Sequence, residues 1–307
     1  MKSEGALIQE DYKSGFITFI GKPNVGKSTL LNLITGLNLS IVSQKPQTTR
    51  RNIRLILTTD ECQIIFIDTP GLHMPRTKLG EHMVRSAKNT VREADVAVLV
   101  VDAGEQRLGA ADADIIDNIK QSGIPVILVI NKIDLVKKEN LLPLIDMFSK
   151  VHDFSCIVPV SAVKGDGAGK LMNEIKRLLP VGDKLYPDSM ITDQTEREIT
   201  AEIIREKALK RLNEEIPHGI GVDIERFKLI EEKELFEIEA IIYCEKDSHK
   251  RIIIGKDGAV LKWIGSEARK DIERMLGARV YINIWVKVKK DWRNSGSMLK
   301  TLGYTKQ

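Results

Sequence analysis

Long apolar runs are missing from this 307-residue sequence. A membrane-spanning helix needs about 18 consecutive apolar residues. The longest runs here, Val96–Val101 and Ile124–Ile130, are strand-sized. Between Met1 and Ser14 the chain carries charges of both signs and no apolar core, so no signal peptide is expected there. Cysteine is scarce: Cys62, Cys156 and Cys244 are odd in number, far apart and set in apolar segments. That argues against a disulfide framework or a zinc site and for a reducing cytosolic compartment. Internal repeats and low-complexity tracts are absent too. What is present is ordinary globular material, 42% apolar and 29% charged, at a length that suits two domains.

Charge is nearly balanced overall, at +4, but not evenly spread. Residues 1–200 hold 25 basic and 25 acidic side chains, whereas Lys246–Gln307 holds 15 basic against 6 acidic. A surface facing a polyanion and a plain solvated face both fit that local excess.

The first 180 residues alternate short β-branched runs with helical patterns. Gly15–Gly21, Ile53–Thr59, Gln63–Asp68, Asp95–Asp102, Pro125–Asn131 and Phe154–Val160 read as strands. Lys27–Thr35, Gly80–Glu93, Ala110–Gln121, Lys138–Lys150 and Lys170–Leu179 read as helices. Several strands are apolar throughout, as expected when helices cover both faces of a mostly parallel sheet, so a doubly wound α/β domain is predicted. The Pro-, Gly- and Asp-rich stretch from Pro180 to Asp193 reads as a linker. Beyond it a long amphipathic helix (194–215), two strands (220–230 and 235–245), a helix (258–276) and a strand (279–289) predict a smaller α+β unit. The expected division is 1–181, a linker over 182–193, and 194–307.

Directly after the first strand stands Gly21-Lys22-Pro23-Asn24-Val25-Gly26-Lys27-Ser28-Thr29, a G-x-x-x-x-G-K-[ST] loop opening a helix. Its glycines let backbone N–H groups converge on phosphate oxygens, and the helix N-terminus adds its dipole. Lys27 is placed to reach the β- and γ-phosphates and the Ser28 hydroxyl to ligate Mg²⁺. Asp68-Thr69-Pro70-Gly71 follows a strand ending in an acid, the place of a residue that meets Mg²⁺ through water, and the Gly71 N–H is placed to sense a γ-phosphate. Asn131-Lys132-Ile133-Asp134 ends another strand. A carboxylate at Asp134 accepts from guanine N1–H and the 2-amino group, which adenine does not present together. Asn131 is expected to tie this segment to the phosphate loop and the Lys132 stem to lie over the base. Ser161-Ala162, after the last strand, offers a backbone N–H to guanine O6.

This ordered set, over about residues 14–180, resembles the translation-factor-related GTPases. In that family the loop before the second strand supplies a Thr to Mg²⁺, and here it holds Gln47-Thr48-Thr49-Arg50. The resemblance implies that Thr48 or Thr49 is the ligand, and leaves both open. Catalytic roles accordingly fall to Lys27, Thr48, Thr49 and Gly71. Ras-type enzymes place a Gln directly after Asp-x-x-Gly to orient water; Leu72 stands there instead, so slow intrinsic hydrolysis is expected. His73 is adjacent, though a lone exposed His is more often incidental. Asn24 resembles the asparagine with which related GTPases hold K⁺, an ion that can act electrostatically like an arginine finger.

In the C-terminal part, Ile252-Ile253-Ile254 leads into Gly255-Lys256-Asp257-Gly258, followed by a helical stretch with Lys262, Arg269 and Lys270. A Gly-x-x-Gly loop is the clamp of KH domains on a single-stranded backbone, and the order of elements resembles the type II KH arrangement. A mere helix-linking turn is the alternative. Lys287, Lys289, Lys290, Trp292 and Arg293 set basic residues beside an aromatic. Trp285, inside a strand, is expected to pack; for Trp292 packing and base stacking both remain open.

The two parts together, with Glu202-Ile203-Ile204-Arg205-Glu206-Lys207, Glu267-Ala268-Arg269-Lys270-Asp271 and Leu302-Gly303-Tyr304, resemble the Era family of bacterial ribosome-assembly GTPases over nearly the whole chain. The resemblance implies a GTP-hydrolysing switch using Mg²⁺, with GTP and GDP as substrate and product; a monomer is expected because no unexplained apolar helix face stands out. The resemblance also implies binding to the 3′ end of 16S rRNA in maturing the 30S subunit. A cytoplasmic location follows, with contact to an anionic membrane surface at the inner face. Nucleotide-dependent ordering of Leu37–Arg51 and Thr69–Met83 is expected to govern RNA binding. Three rivals carry less: an RNA-binding module with incidental hydrolysis, a GTPase of tRNA modification, and a nucleotide kinase. The KH-like end argues against the second and Asn131-Lys132-Ile133-Asp134 against the third.

Overall fold

The structure is a computed structural model that describes residues 12–37, 48–72, 75–105 and 107–305. Gln47, His73 and residues 38–47 of the Leu37–Arg51 loop lie outside the described residues. The chain divides into two compact units. The first takes the described parts of 1–40, 51–74 and 84–193, and the second those of 41–50, 75–83 and 194–307.

In the first unit six strands, β1 (Lys13–Ile20), β2 (Ile53–Thr58), β3 (Cys62–Asp68), β4 (Val96–Asp102), β5 (Val126–Asn131) and β6 (Cys156–Pro159), form one sheet. Their order is β2-β3-β1-β4-β5-β6, parallel except for β2 against β3. The helices are α1 (Lys27–Thr35), α2 (Lys78–Glu93, its residues to Met83 grouped with the second unit), α3 (Ala110–Ser122), α4 (Leu141–Ser149) and α5 (Ala168–Leu178). Alternation along β4 shows why its sequence is apolar throughout. Val96, Val98 and Val100 face one cluster with Leu30 of α1 and Ile175 of α5. Ala97, Leu99 and Val101 face another with Val91 of α2, Ile115 of α3 and Phe148 of α4. Each fully buried Val, Leu or Ile contributes about 1.5–3 kcal/mol. Both faces are covered, and the order reverses between β1 and β4. In open sheets that reversal opens a crevice outside the carboxyl strand ends.

The second unit begins with α6 (Glu196–Arg211), capped by Thr195, whose hydroxyl accepts from the Glu198 N–H while the Glu198 carboxylate accepts from the Thr195 N–H. Its sheet runs β7 (Gly221–Ile230), β8 (Leu235–Cys244), β9 (Arg279–Val288), antiparallel then parallel. Ile204 of α6, Ile253 of α7 (Asp247–Ile254), and Ile264, Ala268 and Ile272 of α8 (Ala259–Leu276) cover one face of it.

The structure departs from the sequence expectations at several ends. The helix read over 194–215 stops at Arg211, because Leu212 turns extended before Pro217. The helix read over 138–150 is a short 3-10 turn followed by α4, whose third residue Pro143 needs no N–H partner there. The Ile252–Ile254 run forms the last turn of α7, a helix not read from the sequence. Beyond Asn294 the tail forms α9 (Gly296–Thr301), and Met298, Leu299, Leu302 and Tyr304 are buried with Leu79, Met83 and Trp292.

Candidate functional site

Four motifs converge at the carboxyl ends of β1, β3, β5 and β6. After β1 the chain turns through Gly21 (φ +150°), Asn24 (φ +65°) and Gly26 (φ +97°) before α1 begins at Lys27. The turn leaves no room for larger residues. A Cβ on Gly21 would lie 2.3 Å from the Val100 carbonyl oxygen, and one on Gly26 2.2 Å from Asn131 Nδ2. Lys27 is buried, and its Nζ donates to the carbonyls of Gly21 (3.1 Å) and Lys22 (2.9 Å). Burial lowers its pKa to about 8, against the opposing pull of Asp68. A desolvated ammonium whose hydrogen bonds go to neutral carbonyls is poised for an anion.

Ser28 Oγ donates to Asp68 Oδ2 at 2.8 Å, and Asp68 is fully buried at the end of β3. A hydroxyl and a carboxylate side by side are the hard oxygen donors that Mg²⁺ prefers. Thr69 Oγ1 donates to the Phe19 carbonyl at 2.5 Å, pinning the segment that follows. Gly71 lies against the phosphate loop, since a Cβ there would come within 2.8 Å of Pro23 Cα. Leu72 donates its N–H to the Gly21 carbonyl at 3.2 Å and is itself buried.

Asn131 is the hub of the base side. Its Nδ2 donates to the Val25 carbonyl (2.8 Å) and its Oδ1 accepts from the Ala162 N–H (3.0 Å), joining phosphate loop and last strand. Ser161 Oγ donates to Asp134 Oδ1 at 2.6 Å, and that hydrogen bond lowers the carboxyl below its ordinary pKa, keeping it an acceptor. Lys132, in left-handed backbone (φ +65°), pairs with Asp102 at 2.6 Å. The ammonium of Lys22, read as a nucleotide contact, is turned to Glu105 and Asp112 at 2.7 and 2.9 Å.

Thr48 and Thr49 belong to the second unit. There the Thr48 carbonyl accepts from Arg205 Nη2, and Arg205 pairs with Glu202 at 2.6 Å. Neighbouring Arg50 is fully buried, donating to the carbonyls of Ile220 (2.5 Å) and His218 (3.0 Å).

The Gly-x-x-Gly loop joins α7 to α8. Gly255 (φ +75°), Asp257 (φ +51°) and Gly258 (φ +74°) make the turn, with Lys256 and Asp257 exposed. A groove of about 490 Å³ runs from Gly258 between α8 and β9, lined by Lys262, Gly265, Arg269, Tyr281 and Asn283 among others. Lys262 and Arg269 thus join the loop on one groove. Tyr281, Asn283 and Gly265 were not read from the sequence; the period-two pattern along β9, which puts Tyr281 and Trp285 on one exposed face, is the signal that could have found the aromatics.

The tryptophans correct the sequence reading. Trp292, a candidate for base stacking, is 0% exposed, donates Nε1–H to the Gly219 carbonyl at 2.8 Å and stacks on Tyr304. No base can reach it. Trp285, expected to pack, is 39% exposed, and Tyr281 beside it 56%. The cause is parity: Val280 and Val286 take the core side of β9, which leaves the odd positions outside. Among the basic residues beyond Trp285, Lys289 and Lys290 are exposed, Lys287 meets Glu225 at 3.3 Å, and Arg293 is held by Glu245 at 2.6 Å.

Comparison with known proteins agrees with this geometry. A family model described as a 50S ribosome-binding GTPase matches residues 16–132, and a KH domain model matches residues 215–293. The GTPase Era of Ruminiclostridium cellulolyticum is 54% identical over 293 residues, 95% of this chain and 98% of its own. Among solved structures, Era in complex with MgGDPNP and nucleotides 1506–1542 of 16S ribosomal RNA is 42% identical with a TM-score of 0.92, covering 96% of this chain and 99% of its own. A point variant of Aquifex aeolicus Era bound to GDP and AlF4⁻ is 43% identical with a TM-score of 0.91, covering 95% of this chain and 99% of its own.

Proposed function

The chain belongs to the Era family of GTPases, and from that premise we propose that it hydrolyses GTP as a switch that binds the 3′ end of 16S rRNA during 30S subunit assembly. The observation that carries the nucleotide half is the Asn131 side chain, which ties the phosphate loop at Val25 to the base-side segment at Ala162. That tie joins the ends of three separate strands, β1, β5 and β6, into one site. Gly21 to Thr29 wrap the phosphates, with Lys27 as their cation. Asp134, fixed by Ser161, reads guanine, and Lys132 covers it. Thr69 and Pro70 hold Gly71 where its N–H meets the γ-phosphate.

Ser28 and Asp68, with Thr48 or Thr49, would hold Mg²⁺, which when bound neutralises phosphate charge. Asn24, exposed in left-handed backbone, is the residue for K⁺. The RNA half rests on the groove between α8 and β9, where Gly255 to Gly258 clamp the backbone, Lys256, Lys262 and Arg269 meet phosphates and Tyr281 offers a stacking face. Residues 1–181 form the GTPase domain, 182–193 the linker and 194–307 the RNA-binding domain. Among the described residues no helix is long and apolar enough to cross a membrane. The work lies in the cytoplasm, and its basic surface is suited to touch the anionic inner face of the cell membrane.

The test is GTP turnover with and without an RNA matching the 3′ end of 16S rRNA, in potassium and in sodium buffer, beside the Lys256→Glu variant. RNA is expected to speed turnover and the variant to lose that effect. Turnover indifferent to an RNA that binds would reduce the second unit to an anchor, and equal rates in both buffers would remove the Asn24 role.

A further inference from the structure

The stretch from the last residue of β4 to the first turn of α3 carries none of the nucleotide motifs, yet its carboxylates hold a lysine from each side of the nucleotide site. Lys22 of the phosphate loop lies 2.7 Å from Glu105 and 2.9 Å from Asp112. Lys132 of the base-side loop lies 2.6 Å from Asp102. Two of the three carboxylates are themselves fixed by backbone. Asp112, 3% exposed, accepts the Gly109 N–H at 2.9 Å and so caps α3. Asp102 accepts the Gly104 N–H at 2.9 Å. Burial tends to lower the Lys22 pKa, but hydrogen bonds to Glu105 and Asp112 outweigh it and leave the ammonium firmly charged.

Where Lys22 sits matters more than its charge. Its carbonyl is one of the two that hold Lys27 Nζ, at 2.9 Å, and the next residue, Pro23, lies against Gly71. An ammonium committed to two carboxylates is not a phosphate ligand. Its effect is to fix the stretch of loop on which Lys27 and Gly71 both rest, and loops held in their binding geometry before the ligand arrives retain it longer.

We propose that Asp102, Glu105 and Asp112 form a brace between the phosphate loop and the base-side loop, with Lys22 as a positioning residue, and that this brace sets the rate of nucleotide release. The inference rests on the nucleotide reading above. Stopped-flow release of mant-GDP from the full chain tests it, with Glu105→Gln, Lys22→Met, their double variant and Lys22→Arg. Glu105→Gln is expected to speed release about fivefold, the net worth of one partly exposed ion pair, and Lys22→Met, which removes two such pairs, at least as much. For Glu105→Gln, single-turnover hydrolysis at saturating GTP should stay within about twofold. The double variant should release no faster than Lys22→Met alone, and Lys22→Arg should restore most of the retention. A melting curve for each variant establishes that it is folded; Glu105 caps no helix, so its variant keeps the test open should another fail. Release unchanged in both singles, or additive effects in the double, overturns the brace while leaving nucleotide binding intact. A parent chain that does not bind mant-GDP overturns the nucleotide reading and the brace together.

Discussion

Two glycine-bounded loops open onto helix N-termini in this protein, and they are specified in opposite ways. Gly26 and Gly258 each cap a helix in left-handed backbone, at φ +97° and +74°. Around Gly26 the interior closes in: a Cβ would strike the Asn131 amide at 2.2 Å, and Lys27 is buried. Around Gly258 the first atom a Cβ would meet is Lys262 Cε at 3.9 Å, and Lys256 is exposed. One loop is shaped by what packs against it, the other by what is kept away. A site for a small, highly charged ligand needs groups held before binding. A site for a flexible strand needs open backbone and mobile cations.

The contrast is sharpest in a matched pair of substitutions. Gly26→Ala is expected to cost on the order of 3 kcal/mol in stability, from backbone strain and the Asn131 clash together, and to weaken GDP binding about 100-fold or more. Gly258→Ala has only the backbone term, about 1 kcal/mol, and leaves GDP binding unchanged. Melting curves and mant-GDP titration decide. If both substitutions are tolerated alike, the distinction fails.

Lys27→Met comes next and works in the unexpected direction. Burial holds the Lys27 pKa at about 8 in the folded protein, against 10.5 for a free lysine side chain. The unfolded chain therefore binds more protons between those values, and this group's contribution to stability rises with pH through that window. Below about pH 8 the folded protein carries the full cost of a buried ammonium. Removing it should raise nucleotide-free stability by on the order of 2 kcal/mol at pH 7, while abolishing GTP binding. The gain should shrink toward pH 10.5; a variant less stable than the parent at pH 7 would refute it.

Tyr281→Ala should weaken RNA binding about tenfold without lowering the melting temperature, as loss of a stacking face does. Trp292→Phe should do the reverse, lowering the melting point and sparing RNA affinity, because its indole is packed and hydrogen-bonded. Fluorescence anisotropy with a 3′-end 16S RNA separates them. The smallest effect belongs to Lys256→Glu: RNA affinity down about fivefold with a flatter salt dependence, and GDP affinity unmoved.

The same contrast explains what was legible in the sequence. The phosphate loop, Asp68, Asn131, Asp134 and the Ser161-Ala162 turn could be located because each lies next to a strand end whose apolar run marks it, and because buried geometry tolerates few residue types. The doubly wound sheet was legible for the same reason. The RNA groove was half legible: the glycines and lysines stood out, but Tyr281 and Asn283 depend on the parity of β9. Parity is set by which residues the helices cover, so Trp285, expected to pack, lies exposed, while Trp292, left open between packing and stacking, proves buried in the turn beyond β9. Helix ends at Arg211 and Leu141 turned on single caps and a proline. The carboxylates that hold Lys22 were invisible because the contact is tertiary: Lys22 and Asp112 are 90 positions apart.

Leu72 has a consequence for the timing of the switch. Its side chain is seated in the aliphatic cluster with Ala103 and Ile115, and its N–H is engaged by the Gly21 carbonyl. A glutamine introduced there would carry an amide into that aliphatic cluster, costing about 1–3 kcal/mol rather than supplying a water-orienting group. One exchange therefore does not turn this chain into a self-timed hydrolase of the Ras type. On the proposed reading, hydrolysis waits on what the chain binds rather than on residue 72, while retention of the nucleotide stays with the chain's own side chains.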